Sequence, residues 1–431
     1  MLDTPTITAL KAREVLECRG LPTVQVELEL DGIYTGIADV PSGRSTGSAE
    51  AFELRDGGSR FGGFGVLEAV ASVNGEIAQA LLESAPPSQR ELDRLLCELD
   101  GTPEKRRLGA NAVLGVSLAY ARARAERLGV PLYSALNANA HVLPVPLVNL
   151  INGGRHASND LDIQEVIVLP AGAGSMLEAM QWSTEINLAL AEILLQRYGK
   201  VALNTGDEGG YAPPLAHVEE ALELLHSAVQ AAGYGAGCVY GLDAAASHWY
   251  DAEGSVYRLA GKTLDRDALI AHYLRLIADY GIVTIEDPLN EDDFEGFAEI
   301  TATSGIQIVG DDLLVTNPDR VRTAVGLGAA NSLLWKVNQI GTLSEAFDAA
   351  EIAHRAGWTV VVSERSGETE DAIISDLVVA LGAGQIKTGA PVRGERTAKY
   401  NRLLTIEEQL GESAVYDGSA LLSRAGSGAL A

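Results

Sequence analysis

Val24-Gln-Val-Glu-Leu-Glu-Leu alternates apolar and polar residues without a break, the pattern of an antiparallel strand with one buried face, and Asp31-Gly32 supplies a turn after it. A second strand is predicted over 33–40. It runs into Pro41-Ser-Gly-Arg-Ser-Thr-Gly47, a loop rich in residues that permit unusual backbone angles. Apolar residues then recur at helical spacing over 65–82, 88–99 and 108–128, and the last of these stops at Gly129, with Pro131 just beyond.

Further along, the pattern changes to short runs that are apolar throughout and end in a charge, as strands buried on both faces do. Ile282-Val-Thr-Ile-Glu286, Gln307-Ile-Val-Gly-Asp311, Ser332-Leu-Leu-Trp-Lys336, Thr359-Val-Val-Val-Ser-Glu364-Arg365 and Gly384-Gln-Ile-Lys387 are such runs, and Val239-Tyr-Gly-Leu-Asp243 precedes them. Glu286, Asp311, Lys336, Glu364 and Lys387 follow one another at intervals of 25, 25, 28 and 23 residues, each about one strand plus one helix. That rhythm predicts an α/β fold, a β/α barrel with its chemistry at the carboxyl ends of the strands. Asp243, Glu286, Asp311, Lys336, Arg365 and Lys387 are then expected around one pocket. An Asn- and Pro-bearing stretch, 137–146, reads as an extended linker, so a smaller α+β domain (1–140) is expected before a barrel domain (141–431). Helices are also predicted over 176–198 and 398–410, and the small, polar tail after Asp417 is expected to be partly disordered.

A chain of 431 residues suits one barrel and one smaller domain. Its 32 Lys and Arg stand against 59 Asp and Glu, a net charge of −27, which argues against nucleic-acid partners and anionic membranes. An anionic substrate would need locally placed cations. Three cysteines at unrelated spacings suggest neither disulfides nor zinc, and no signal-like start is present, so a soluble cytoplasmic protein is expected.

Three carboxylates converging from separate strands repel one another, and a bound divalent cation resolves the conflict; oxygen ligands without His or Cys favour Mg²⁺. The plainer alternative for any one of them is a helix cap or a surface ion pair. Lys336 lies between Trp335 and Val337, and a desolvated lysine near other cations has its pKa lowered toward service as a base. Taken alone, it could equally be a strand-end lysine reaching into solvent.

The chain closely resembles the enolase family from about residue 6 to about residue 410. The resemblance rests on Arg19-Gly with Pro22-Thr-Val, Ser42-Gly with Ser45-Thr-Gly-Ser, Asn152-Gly-Gly with His156-Ala, Gln164-Glu165, and Gly206-Asp-Glu-Gly-Gly-Tyr-Ala-Pro. It continues through Ile285-Glu-Asp-Pro, Gly310-Asp-Asp-Leu, Lys336-Val-Asn-Gln-Ile-Gly, Arg365-Ser-Gly-Glu-Thr-Glu-Asp and Gln385-Ile-Lys-Thr-Gly-Ala-Pro. It implies a modified β/α barrel behind an α+β domain, two Mg²⁺ per site, a homodimer, and interconversion of 2-phosphoglycerate and phosphoenolpyruvate. The pairing of a lysine base with Mg²⁺ is the known arrangement of enolase-superfamily sites. By the same resemblance, Asp243, Glu286 and Asp311 match ligands of the first Mg²⁺, and Ser42, in a mobile loop, a ligand of the second. Lys336 matches the base at C2, Lys387 the partner of the substrate carboxylate, and Glu208, beside Gln164 and Glu165, the acid that protonates the departing hydroxyl. Arg365 and Ser366 match a phosphate clamp, and His156 a substrate contact.

Some positions depart from the family. Glu364 stands where a pocket histidine is usual, Arg44 where a small loop residue is usual, and Leu21, Trp335 and Gly394 differ in smaller ways. One consequence could be a compensating Arg44–Glu364 pair in an ordinary enolase. The expectation slightly favoured on these two residues is a specialised paralogue that forms carboxyphosphonoenolpyruvate in phosphonate antibiotic biosynthesis, with Arg44 gripping the added carboxylate through two hydrogen bonds. The housekeeping enolase is the alternative. Acid-sugar dehydratases of the wider superfamily lack the Ser42 loop and the clamp, and a purely structural role would not need Lys336, Glu208 and three metal acids.

Overall fold

The computed structural model describes residues 4–44, 46–82 and 84–425. The chain opens with a three-stranded antiparallel meander, β1 (Ile7–Leu16), β2 (Pro22–Leu30) and β3 (Tyr34–Asp39). β1 was not foreseen from the sequence; its lysine, arginine and glutamate mask the alternation. In β2, Val24, Val26, Leu28 and Leu30 are wholly buried, while Gln25, Glu27 and Glu29 face the other way. Asp31 and Gly32, at φ 57° and 73°, turn the chain into β3.

Helices cover the buried face. α1 (Gln89–Asp100) starts at Ser88, whose Oγ accepts from the Glu91 amide at 3.1 Å, and α2 (Ala110–Leu128) ends at left-handed Gly129. α2 lies so close to β3 that a Cβ on Gly36 would sit 1.9 Å from the Ala119 carbonyl oxygen, and that contact requires glycine. The predicted 65–82 helix is two short α-helical pieces, Leu67–Ser72 and Ala78–Leu81, around a π-helical turn, Val73–Ile77. There Asn74 leaves the helical pattern to bond the backbone of Ala12 in both directions.

The predicted linker is pinned: Val142–Leu143 pairs with Val415–Tyr416, and Asn137 donates to the Ala380 carbonyl. Beyond it a closed eight-stranded barrel forms from β4 (Val145–Asn152), β5 (Glu165–Leu169), β6 (Val239–Asp243), β7 (Ile282–Glu286), β8 (Gln307–Gly310), β9 (Ser332–Trp335), β10 (Thr359–Ser363) and β11 (Gly384–Lys387). Seven strands run parallel. β5 is reversed, antiparallel to both β4 and β6. The barrel interior is filled by Val145, Ile167, Val239, Val309 and Val361 together with Leu421. Leu421 belongs to a C-terminal helix, Ser419–Arg424, so the first part of the tail expected to be partly disordered is helical, because its leucine completes the barrel core. Residues 426–431 lie outside the described residues. No helix among the described residues is long and apolar enough to cross a membrane.

Candidate active site

The reversal of β5 builds the site. Glu165 is its first residue, and register pairs it with Asn152 at the end of β4 and Asp243 at the end of β6. A residue at a strand's amino end thus joins the rim where the other strands finish. Glu286, the last residue of β7, pairs in register with Asp243. Asp311 and Lys336 follow β8 and β9 by one residue, Arg365 follows β10 by two, and Lys387 ends β11. The strand-end residues read from the sequence therefore do share one rim.

Lys387 is the hub. Its Nζ lies 2.8 Å from Asp243 Oδ2, 2.8 Å from Glu286 Oε2 and 3.1 Å from Glu165 Oε2. Burial disfavours its charge, but the three acids outweigh burial and hold the ammonium firmly charged. Gln164 Nε2 donates to Asp243 Oδ2 at 3.2 Å, and the Ala245 amide to Oδ1 at 3.0 Å. Lys336 Nζ lies 2.5 Å from Asp311 Oδ2, and Gln339 Nε2 donates to Asp311 Oδ1 at 2.8 Å. Burial alone would lower the Lys336 amine, as the sequence suggested, but the adjacent Asp311 carboxylate raises it. The expected low pKa is therefore absent, because the Asp311 carboxylate favours the ammonium.

On the other side of the mouth sits an acid pair. In the ring of eight strands, β9 and β5 are four places apart, so Lys336 and Glu165 face each other across the barrel. Glu165 lies beside Glu208, with ligand atoms of these two and of His156 within 4.8 Å of one another, and the His156 Nδ1 lies 3.4 Å from Glu165 and 3.5 Å from Glu208. Asn149 Nδ2 donates to Glu208 Oε2 at 3.1 Å. Burial and the Glu208 charge push the Glu165 carboxyl well up; burial also opposes the Glu208 charge, yet His156, Arg396 and Lys387 hold Glu208 low. The sequence suggested that Glu208 carries the proton. In the pair as built, burial and the Glu208 charge favour the proton on Glu165 rather than on Glu208.

Ser42, Arg44, Arg365 and Ser366 form a second group. Ser42 and Gly367 exchange backbone hydrogen bonds at 2.8 and 2.9 Å, a contact so close that a Cβ on Gly367 would lie 2.6 Å from the Ser42 carbonyl oxygen. Ser42 Oγ accepts from Arg55 Nη2 at 2.7 Å and from Arg19 Nη2 at 3.4 Å and donates to Glu53 Oε2 at 3.5 Å, partners that lie apart from the rim acids Asp243, Glu286 and Asp311. Ser366 Oγ accepts from the Arg44 amide at 3.0 Å and from Arg19 Nη1 at 3.3 Å.

The acids fit a hard cation. Glu165, Glu208, Asp243, Glu286 and Asp311 bring five carboxyls to a rim that offers them two lysines, and burial together with Asp243 pushes the Glu286 carboxyl well up. Among the described residues, ligand atoms lie within 4.8 Å of one another in His156–Glu165–Glu208 and in Asp287–Asp311–Asp312. In the second group, Asp287 is occupied by the amides of Asp311 and Asp312. Asp243, Glu286 and Asp311 are parted by the two lysines that neutralise them.

Reading motifs missed several partners. Arg396, wholly buried on α3 (Gly394–Leu410), donates to the backbone carbonyls of Arg365 and Ser366 at 2.8 Å and supports the clamp from below. Glu50, Asn149, Asn338 and Gln339 were also missed. A charged residue inside an amphipathic helix, such as Arg396, carries no local signal of burial, whereas Asn338 and Gln339 sit within the Lys336 motif itself.

Arg396 and Asp207 also decide the two unusual residues. Glu364 Oε2 lies 2.5 Å from Arg396 Nη1 and accepts from Thr388 Oγ1 at 3.0 Å, and burial pushes its carboxyl up to about 8 against the pull of Arg396. Arg44 Nη1 donates to Asp207 Oδ2 at 2.6 Å. The suggested Arg44–Glu364 pair is therefore not formed, and Glu364 adds no unpartnered charge beside the clamp.

Residues 7–136 match the family description "Enolase, N-terminal domain", and residues 140–425 match "Enolase, C-terminal TIM barrel domain". The chain is 56% identical over 408 residues to the enolase of Methanocaldococcus jannaschii, covering 94% of this chain and 96% of that one. It is 55% identical over 417 residues to the enolase of Thermococcus gammatolerans and 54% identical over 421 residues to that of Pyrococcus furiosus, each covering 96% of this chain and 97% of the relative. These relatives overturn the expectation of a carboxyphosphonoenolpyruvate-forming paralogue, since proteins this similar from end to end bear the plain name enolase. Over its barrel and its leading domain alike, the chain is a member of the enolase family, and an enzyme of the hydro-lyase class.

Proposed function

We propose that the protein interconverts 2-phosphoglycerate with phosphoenolpyruvate and water, the reaction of a glycolytic enolase, with two Mg²⁺ ions bound. The observation that carries this is the facing arrangement: a lysine on one side of the barrel mouth and two adjacent buried acids, Glu165 and Glu208, on the other. A β-elimination needs both, because a proton leaves C2 while a hydroxyl leaves C3.

Asp243, Glu286 and Asp311 would hold one cation and Ser42 would contribute to the second. When bound, Mg²⁺ supplies neutralisation of the charge that builds on the substrate carboxylate as its α-proton departs. The lysines freed from the three acids are then available to substrate. Lys336 takes the C2 proton on Nζ, the electron pair forms the C2–C3 double bond, and the C3–O bond breaks. The proton held by Glu165 and Glu208 goes to the departing hydroxyl through Glu208, so water leaves. Lys387 pairs with the carboxylate, Arg365 and Ser366 hold the phosphate, and His156 and Gln164 contact the substrate.

Solvent deuterium exchange separates the two halves. With Mg²⁺ and 2-phosphoglycerate, Lys336→Ala should lose both exchange at C2 and product formation, by about 10²–10⁴-fold. Glu208→Gln should lose product formation while retaining exchange at C2. Exchange that survives Lys336→Ala would remove Lys336 as the base.

A further inference from the structure

Arg365 is already clasped. Glu50 Oε2 accepts from Arg365 Nη1 at 2.9 Å and Oε1 from Nη2 at 3.1 Å, a two-pronged grip, and Asn338 Oδ1 accepts from Nη1 at 3.0 Å. Both partners are buried, Arg365 to 3% side-chain exposure and Glu50 to 9%. The pair borders a cavity of about 310 Å³ shared with Gly43, Thr46 and Asn338. Glu50 also governs the loop beyond Ser42: its Oε1 accepts from the Gly47 amide at 3.0 Å. Gln339 Nε2 lies 3.5 Å from the same oxygen and donates to Asp311 at 2.8 Å, so one amide touches both the clasp and a candidate metal acid.

A carboxylate lying flat on a guanidinium fork uses the same paired donors that a phosphate would use. We propose that Glu50 is a built-in placeholder for the substrate phosphate, occupying the Arg365 fork until the phosphate displaces it and, in leaving, releasing Gly47 and its loop. This rests on the clamp role given to Arg365 under the proposed function. The arrangement spares a buried guanidinium from standing unpaired, which would be costly. Its consequence is a phosphate affinity reduced by the fraction of time the fork is occupied. A merely structural Glu50, which props Arg365 in place beside the bound phosphate, has the opposite consequence.

The sign of one change therefore decides. Binding of inorganic phosphate in the presence of Mg²⁺ is measured by calorimetry for the wild type, Glu50→Gln and Glu50→Asp, alongside KM and kcat for 2-phosphoglycerate. For a placeholder, Glu50→Gln tightens phosphate by about tenfold, and KM falls while kcat does not rise. Glu50→Asp, which keeps the charge on a shorter arm, tightens it by a smaller factor and decides the question if Glu50→Gln does not fold. Unchanged or weaker phosphate binding, or a higher KM, overturns the proposal. Wild-type turnover with weakened phosphate binding in the variant sinks the placeholder alone. Tightened binding without wild-type turnover leaves the placeholder and sinks the reaction.

Discussion

At the scale of single residues, the site is defined by which charge neutralises which. Lys336 and Lys387 neutralise Asp311, Asp243 and Glu286. Asp311 raises the Lys336 amine, and burial with Asp243 raises the Glu286 carboxyl, so both groups hold protons more tightly than in water. Asp243, Glu286 and Asp311 would hold a cation in their ionised forms, and with Asp311 so engaged the Lys336 amine would lose the carboxylate that raises it. Mg²⁺ binding should accordingly release protons, and its affinity should strengthen as pH rises. Calorimetry in buffers of different ionisation enthalpy reads the released protons; affinity that weakens with pH would contradict these assignments. Glu364 is bound to Arg396 inside the protein, so Glu364→Gln should leave preference for 2-phosphoglycerate unchanged. The same change should cost about 3 kcal/mol of stability, read by urea unfolding, because it removes the closest carboxyl partner of a buried guanidinium, which keeps its backbone carbonyls.

At the scale of elements, one reversed strand brings the acid pair to the rim that carries Lys336. Apolar runs ending in charge made the parallel strands and their chemical ends legible, since a strand buried on both faces has few other sequences open to it. The direction of β5 was not legible, because Glu165-Val-Ile-Val-Leu is as good a strand either way and only pairing decides. Partners across long separations were hidden for the same reason: Arg396 under Ser366, or Glu50 on Arg365, follow from packing and leave no local pattern. The tail illustrates the reverse error. Its composition suggested partial disorder, yet Leu421 is buried among barrel residues from seven strands. Leu421→Ala should cost about 2–4 kcal/mol in denaturant unfolding, and a change within about 0.5 kcal/mol would mean that the helix does not plug the barrel.

At the scale of the whole molecule, long-range ion pairs join the meander domain to the barrel. Arg365 to Glu50, Arg122 to Asp371, Arg90 to Asp348 and buried Lys105 to Glu345 each cross between them. The clamp, the loop at its edge and the carboxylate rim are therefore assembled from both parts of the chain, which carries a net charge of −27 that places its useful cations inside. The most direct measurement is steady-state turnover of purified wild-type protein on 2-phosphoglycerate, with Mg²⁺, after its removal by chelation, and after its return. Phosphoenolpyruvate should form with Mg²⁺, stop on chelation and resume on restoration. Folded protein that binds Mg²⁺ but forms no phosphoenolpyruvate from 2-phosphoglycerate would contradict the assignment of Lys336 and the Glu165–Glu208 pair to this reaction.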